Sequence, residues 1–449
     1  MKQQEQWTSK LAFILAAAGS AIGLGAIWKF PYVVGTSGGG AFFLLFLLFT
    51  FLIGFPLLMA EFVIGRGAQK EAISAYKTIA PKTAWPWLGR MGVTTAFILL
   101  SFYSVIGGWI ILYLYKSVTG QVFGQDYSAL FGRSISESGG VLIAQAVFML
   151  ITVLIVSRGV KSGIERANNI MMPALFIMFL ILIVRSLTLD GAMKGVEFFL
   201  KPDFASITGE SILFALGQSF FSLSVGISVM VTYSSYLSKK ESLPKSATTI
   251  VSLNVVISLL AGLAIFPGVF SLGLKPAEGP GLLFVVLPSV FEQLVFGKVF
   301  FVIFLALFLF ATLTSAFSML EIIIAAIIKD DVSKRTKWSW IIGVLIFIVG
   351  VPSALSTGAL KHVTLIGDRT IFDSLDFLVS NILLPLGSLF IALFVGYRYP
   401  KGQLYEEFTS GATIGKKGFA LWLLLIRYVT PVVIIIVFLN QLGVWKLFK

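Results

Sequence analysis

The chain reads as an all-α integral membrane protein, and three observations carry that reading. Hydrophobic residues make up 57% of its 449 residues and charged ones only 12%, too little charge to cover a water-facing surface of that size. Apolar runs close to the roughly 20 residues that cross a bilayer recur along the whole length. Two of these runs, the first and the sixth, are interrupted near their middles by glycine and serine.

Eleven spans follow in order. Span 1 (about 11–35) begins after Lys10 and holds the stretch LAAAGSAIGLGAIWKFPY, in which Gly19, Gly23 and Gly25 each cost about 1 kcal/mol of helix stability against alanine. It continues into WKFPY and further spans succeed it, so it is a membrane span and not a cleaved leader. Between spans 2 (40–68) and 3 (90–117) lie Lys70, Lys77 and Lys82, with Arg66 at the end of span 2, and between spans 4 (139–157) and 5 (164–187) lie Arg158 and Lys161, with Arg166 at the start of span 5. Span 6 (210–238) contains GQSFFSLSVGISVMVTYSSY, weakened at Ser222, Ser224, Gly226 and Ser228, and Lys239 and Lys240 separate it from span 7 (243–273). Lys329, Lys334 and Arg335 lie between spans 8 (298–328) and 9 (337–355), which opens with Lys337; spans 10 (372–399) and 11 (417–445) complete the set. The connections leave no room for a soluble domain, so residues 1–449 form one membrane domain. Most of the 34 lysines and arginines fall on connections at the N-terminal side. The positive-inside rule then places the N-terminus in the cytoplasm, an odd span count puts the C-terminus outside, and the expected location is the plasma membrane.

The net charge of +13 is scattered through short loops and forms no continuous tract, which suits anionic lipid headgroups and argues against nucleic acid as a partner. The absence of cysteine excludes disulfides and thiol catalysis, and the single His362 cannot build a histidine metal site. An intramembrane enzyme would need a nucleophile with a base or a metal; the serines of span 6 have no histidine or lysine close in sequence.

The two breaks point to a binding site. In hydrocarbon an unwound helix is tolerated only where protein or a polar cavity satisfies the freed backbone groups. Small residues also let helices pack closely, but two breaks at matched positions indicate a secondary transporter built of inverted repeats, about 11–187 and 210–399, with 417–445 as an additional helix. Half-helix N-termini present N–H groups to a carboxylate and half-helix C-termini present carbonyls to a cation, which suits a zwitterionic amino acid. Nothing between Lys10 and Lys29 is acidic, which argues against a monoamine lacking its own carboxylate. A channel or a substrate sensor using the same pocket is the competing reading, although polar residues concentrate at the breaks and form no continuous stripe.

At these residues the sequence resembles the neurotransmitter:sodium symporter family, in its bacterial amino-acid branch with the LeuT fold. EQWTSKLAFILAAAGSAIGLG, WKFPY, GGGAF, AEFVIGR, GQSFFSLSVG and FATLTSAFSMLE carry the likeness, together with the spacing of Gly163 and Pro173. The resemblance implies a LeuT-type five-plus-five inverted repeat with broken helices 1 and 6, working as a sodium-coupled amino-acid symporter. It implies that the substrate carboxylate meets the amides of Leu24 and Gly25 and the hydroxyl of Tyr103. The ammonium group would meet the carbonyls of Ala21, Phe221 and Ser222, with Ser224 nearby. Leu99, Tyr103, Phe221, Ile227, Ser315 and Met319 would line the side-chain pocket, which suits a hydrophobic or small neutral amino acid.

The same resemblance implies a second sodium site from the carbonyls of Gly19, Ile22 and Ala311 and the hydroxyls of Thr314 and Ser315. A first sodium site would use Ala21, Ser222, Asn254 and the substrate carboxylate, but Ala26 replaces the family's asparagine. That site is therefore expected to be weakened, filled by water or unused, and proton coupling is the alternative to sodium. Chloride is left open: Gln218, Ser222, Asn254 and Ser258 match chloride-dependent relatives, whereas Phe46 replaces a tyrosine. Lys29 opposite Asp376, with Asp373 close by, would stand at the outer vestibule in place of the family's arginine pair, and Tyr103 and Phe221 would form the aromatic lid. At the inner gate Trp7 is kept, but Gln4 and Lys329, with Asp330 next to it, replace the usual salt-bridge pair, so an easily populated inward-open state is expected. Glu61 and Glu321, costly within spans, are expected to be partnered by hydrogen bonds, and Ser228 is expected to narrow the pocket. The partners are an amino acid and membrane lipids, and the expected assembly is a monomer or weak dimer.

Overall fold

The computed structural model describes residues 5–273, 281–329, 331–412 and 415–443. Among the described residues ten helices are long and apolar enough to cross a membrane: Lys10–Thr36, Gly39–Ala68, Pro86–Val118, Ser138–Val156, Val160–Leu187, Leu243–Ser271, Gly297–Ile328, Val332–Leu355, Ile371–Arg398 and Lys416–Gln441. They coincide with spans 1–5 and 7–11. Span 6 is instead two short helices, Gly209–Phe221 and Val229–Ser235, neither of which could cross alone.

Several spans contain a widened, π-helical turn immediately before a proline. Gly25–Lys29 precedes Pro31, Thr50–Gly54 precedes Pro56, Leu378–Leu383 precedes Pro385, and Leu425–Val429 precedes Pro431. A proline ring collides with the carbonyl one turn back and donates no N–H, and a wide turn relieves both without ending the helix. Span 5 also opens with such a turn, Val160–Glu165, around Gly163.

Span 1 runs through the centre of the bundle, packed against spans 5, 7 and 8. Span 8 in turn packs against spans 3 and 5. The spans are joined by short helices that the hydropathy pattern does not show, such as Ala72–Ile79, Tyr127–Ser136 and Lys401–Thr409. A two-stranded ribbon, Thr364–Ile366 against Arg369–Thr370, lies before span 10. Glu407 ties the end of span 2 to later connections: Arg66 Nε lies 2.5 Å and Lys239 Nζ 2.7 Å from its carboxylate.

The second half of span 6 lies hard against span 2, where a β-carbon at Gly65 would strike the Val231 carbonyl. Glycine is therefore the residue that permits this approach.

Candidate functional site

Both interruptions are real and face each other. In span 1 the helix breaks at Gly23, whose backbone (φ −20°, ψ −141°) leaves the helical region. In span 6 the chain is unwound between Phe221 and Val229, with positive φ at Ser224 (53°), Gly226 (99°) and Ser228 (59°). Only Gly226 among these takes such a φ without steric cost.

The freed backbone groups find partners on neighbouring spans. Glu61, fully buried on span 2, accepts the amides of Gly226 (2.7 Å), Met230 (3.0 Å) and Val231 (3.3 Å), so one carboxylate caps the break and the half-helix that follows. Asn254 on span 7 donates to the Ser222 carbonyl (2.9 Å) and reaches that of Ala21 (3.5 Å), while Gln218 donates to the Gly25 carbonyl (2.7 Å). Ser224 Oγ donates to the Ser20 carbonyl (2.9 Å), stitching break to break. These contacts supply what hydrocarbon could not.

A cavity of about 260 Å³ opens where the breaks meet. Of the residues inferred to bind substrate, it is lined by Ala21, Leu24, Gly25, Leu99, Tyr103, Phe221, Ser224, Ile227, Ser315 and Met319. Ser222 does not line it: this residue is fully buried behind Phe221, its hydroxyl bonded to Asn254 Oδ1 at 3.2 Å. Tyr103 Oη is buried without a hydrogen-bond partner among the described residues, and a β-carbon at Gly23 would sit 2.9 Å from it. That phenol lies beside the Ser315 hydroxyl and the Leu24 amide where the breaks meet. The Gly25 amide, by contrast, donates to the Ile22 carbonyl and is already engaged.

Further lining comes from Ser20, Phe102, Ile106, Ser318 and Phe372. Helical spacing would have found most of these, because Phe102 and Ile106 share a face with Leu99 and Tyr103, and Ser318 stands one turn beyond Ser315. Ser228 corrects an expectation: its hydroxyl turns to Tyr76 Oη (3.1 Å), and it does not line the cavity.

Beside the cavity lies a cluster of neutral oxygens. Thr314 Oγ1 is 2.9 Å from the Gly19 carbonyl and 3.0 Å from that of Ala311; Ser315 Oγ is 3.3 Å from Gly19 O and 3.0 Å from Ser20 O. This is the donor set a hard monovalent cation takes, and it holds no carboxylate. The groups expected for the first sodium site are drawn together differently, since the Asn254 amide bonds to carbonyls that a cation would have to share, and Ala26 contributes no side-chain oxygen. Ser258 Oγ, one of the groups matched to chloride-dependent relatives, donates to the Asn254 carbonyl (3.0 Å).

The cavity extends towards Lys29, Asp373 and Asp376, on the face opposite the N-terminus. Lys29 Nζ sits 4.3 Å over the ring of Phe221, and Asp376 accepts from Ser380 Oγ (2.8 Å). Among the described residues these two charges line one passage without forming a direct ion pair.

The N-terminal face is closed. Trp7 Nε1 donates to the Tyr233 carbonyl (2.8 Å), and Thr8 donates to Glu165 on span 5. Arg335 binds Glu321 through both terminal nitrogens (2.6 and 2.9 Å) and Glu5 at 3.2 Å, and Tyr236 Oη donates to Glu321 at 2.7 Å. Gln4 and Asp330 lie outside the described residues. Among the described residues this face carries an ion-pair cluster centred on Arg335, where the sequence showed only an interrupted pair at position 329. Outside the membrane, burial raises the Glu5 carboxyl above its ordinary value, against the lowering pull of Arg335. Beside this cluster a second cavity of about 230 Å³ is lined by Glu5, Glu71, Lys77, Ala325, Lys329 and Arg335 and reaches solvent at the exposed Lys77. It touches neither break.

A model of the sodium:neurotransmitter symporter family matches residues 4–131 and 123–447. An uncharacterized sodium-dependent transporter of Bacillus subtilis, YhdH, is 58% identical over 442 residues, covering 98% of each chain. One from Haemophilus influenzae is 36% identical over 458 residues, covering 98% of this chain and 99% of its own. The crystal structure of MhsT in complex with L-phenylalanine is similar to this fold with a TM-score of 0.89 and 43% identity, covering 98% of this chain and 100% of the other.

Proposed function

The chain belongs to the sodium:neurotransmitter symporter family, and from that premise we propose that it carries neutral, hydrophobic L-amino acids together with sodium, by alternating access. The observation that carries this reading is the single cavity joining both helix breaks. Its polar end offers the Tyr103 hydroxyl and the Leu24 amide to a carboxylate and the carbonyls of Ala21 and Phe221 to an ammonium group. Its other end, with Leu99, Phe102, Ile106, Phe221, Ile227 and Met319, accepts an apolar side chain. A relative that binds L-phenylalanine supports a range reaching aromatic size.

In this reading the neutral oxygens of Gly19, Ile22, Ala311, Thr314 and Ser315 carry the coupled sodium, and the Ala21, Ser222 and Asn254 set does not bind a second one tightly. Spans 1–5 and 6–10 act as the two repeats. The N-terminal face is cytoplasmic, so the structure is closed to the cytoplasm with the substrate passage directed outwards. Alternating access then requires the Arg335 cluster to open as the Lys29 and Phe221 side closes.

The test is equilibrium binding of labelled L-amino acids, graded in size from glycine to tryptophan, to purified protein in sodium and in potassium. Sodium-dependent binding that peaks among branched, thioether or aromatic side chains is expected. Equal binding in potassium, or preference for a charged amino acid or a carboxylate-free amine, would overturn the reading.

A further inference from the structure

We propose that Asn168 supplies a further oxygen to the sodium site from span 5, an element that contributes none of the other donors; the proposal rests on the sodium reading above. Asn168 is fully buried one turn after the widened opening of that span. Its Nδ2 donates to the Ile164 carbonyl at 2.8 Å, which fixes which end of the amide is which. The other end, Oδ1, is buried and has no hydrogen-bond partner among the described residues.

That oxygen borders the site. A β-carbon on Gly19 would lie 2.5 Å from Asn168 Oδ1, 3.0 Å from Thr314 Cβ and 3.3 Å from Met172 Sδ, so the amide oxygen packs against the Gly19 backbone on the side where span 8 brings Thr314. Glycine at 19 is thereby explained by space: any side chain would displace the amide. Thr314 Oγ1 already contacts the Gly19 carbonyl there. A buried acceptor without a partner is costly, and a cation, or a water bound to it, removes that cost.

The arrangement has a mechanical consequence. Span 5 is tied to the start of span 1 by Glu165, which accepts from the Thr8 amide at 3.1 Å. An ion held jointly by spans 1, 5 and 8 therefore fastens the N-terminal half of span 1 to span 5, and its departure frees the two to separate. Asn168 is the residue through which span 5 senses the ion.

The experiment measures sodium-dependent thermal stabilisation and direct binding of radioactive sodium on the full chain without substrate, with potassium and lithium as comparisons. Asn168→Ala should raise the sodium concentration for half-effect about ten-fold or more, the loss expected for one ligand to a charged group. Asn168→Asp, which keeps the oxygen, should retain or tighten sodium binding, and unfolding in potassium should be similar for both variants. Thr314→Ala and Ser315→Ala, measured alongside, report on the site itself. If these two weaken sodium binding while Asn168→Ala does not, or if Ala and Asp at 168 weaken it equally, the assignment of Asn168 is wrong. If the wild-type chain shows no sodium response, or the Thr314 and Ser315 variants leave it unchanged, the sodium site itself fails and the Asn168 role with it.

Discussion

Replacing Arg335 with methionine removes the centre of the cluster that closes the N-terminal face. Arg335 is 3% exposed and Glu321 fully buried, and their two bonds of 2.6 and 2.9 Å belong to a pair out of reach of water. Removing one partner of a buried pair costs about 3–5 kcal/mol, because the other charge stays buried and uncompensated. Opening the face to water relieves that penalty, so the closed-to-open ratio should fall by about 10² to 4 × 10³, at about 1.4 kcal/mol per factor of ten. The chain contains no cysteine, so a single Ala325→Cys, at a position 3% exposed beside the same cavity as Arg335, reports opening without background. Its labelling rate should rise steeply in the Arg335→Met chain. Adding Glu321→Gln should reverse most of that rise by removing the stranded charge. An unchanged rate in a variant that still binds substrate would refute the assignment of Arg335 as the lock.

Other consequences are equally specific. Glu61→Gln presents an N–H₂ to backbone amides that need an acceptor, and the cost of about 1–3 kcal/mol for each amide left unsatisfied should abolish transport, visible as lost substrate binding in a chain that still inserts in the membrane. Tyr103→Phe keeps the ring but deletes the unpaired phenol; a hydrogen bond to a charged group contributes about 1.5–3 kcal/mol, so amino-acid affinity should fall roughly 10- to 150-fold, and unchanged affinity would remove Tyr103 from the carboxylate site. The Glu5 carboxyl is raised above its ordinary 4.5 in the closed form, so it binds a proton more readily closed than open. Its stabilisation of the closed form is therefore complete below the ordinary carboxylate range and lost as pH rises through the raised value. Labelling of Ala325→Cys, normalised to an exposed cysteine at the same pH, should slow on acidification, and Glu5→Gln should flatten that dependence.

The membrane spans were legible because a bilayer imposes one length and one polarity on every crossing helix, and ten of the eleven predicted spans are crossing helices among the described residues, the sixth being two short helices. The breaks were legible because glycine and serine weaken a helix where hydrocarbon penalises exposed backbone. Ten of the inferred substrate residues line one cavity because they sit on those breaks or on faces turned to them. The remainder depended on contacts between distant segments. Ser222 resembles its neighbours in sequence, yet its position behind Phe221 is set by Asn254 on span 7. Arg335 read as one basic residue among several in a loop, and only packing shows it inside, between Glu5 and Glu321. Asn168 carried no local signal, because its distinguishing property is an oxygen left unpaired by residues far along the chain.

The most direct measurement is uptake of a labelled hydrophobic L-amino acid into proteoliposomes under an imposed inward sodium gradient, with potassium replacing sodium as the control. Accumulation above equilibrium that requires the sodium gradient and is lost in Thr314→Ala is the predicted result. Uptake that ignores sodium and follows a proton gradient, or binding without any accumulation, would contradict sodium-coupled symport.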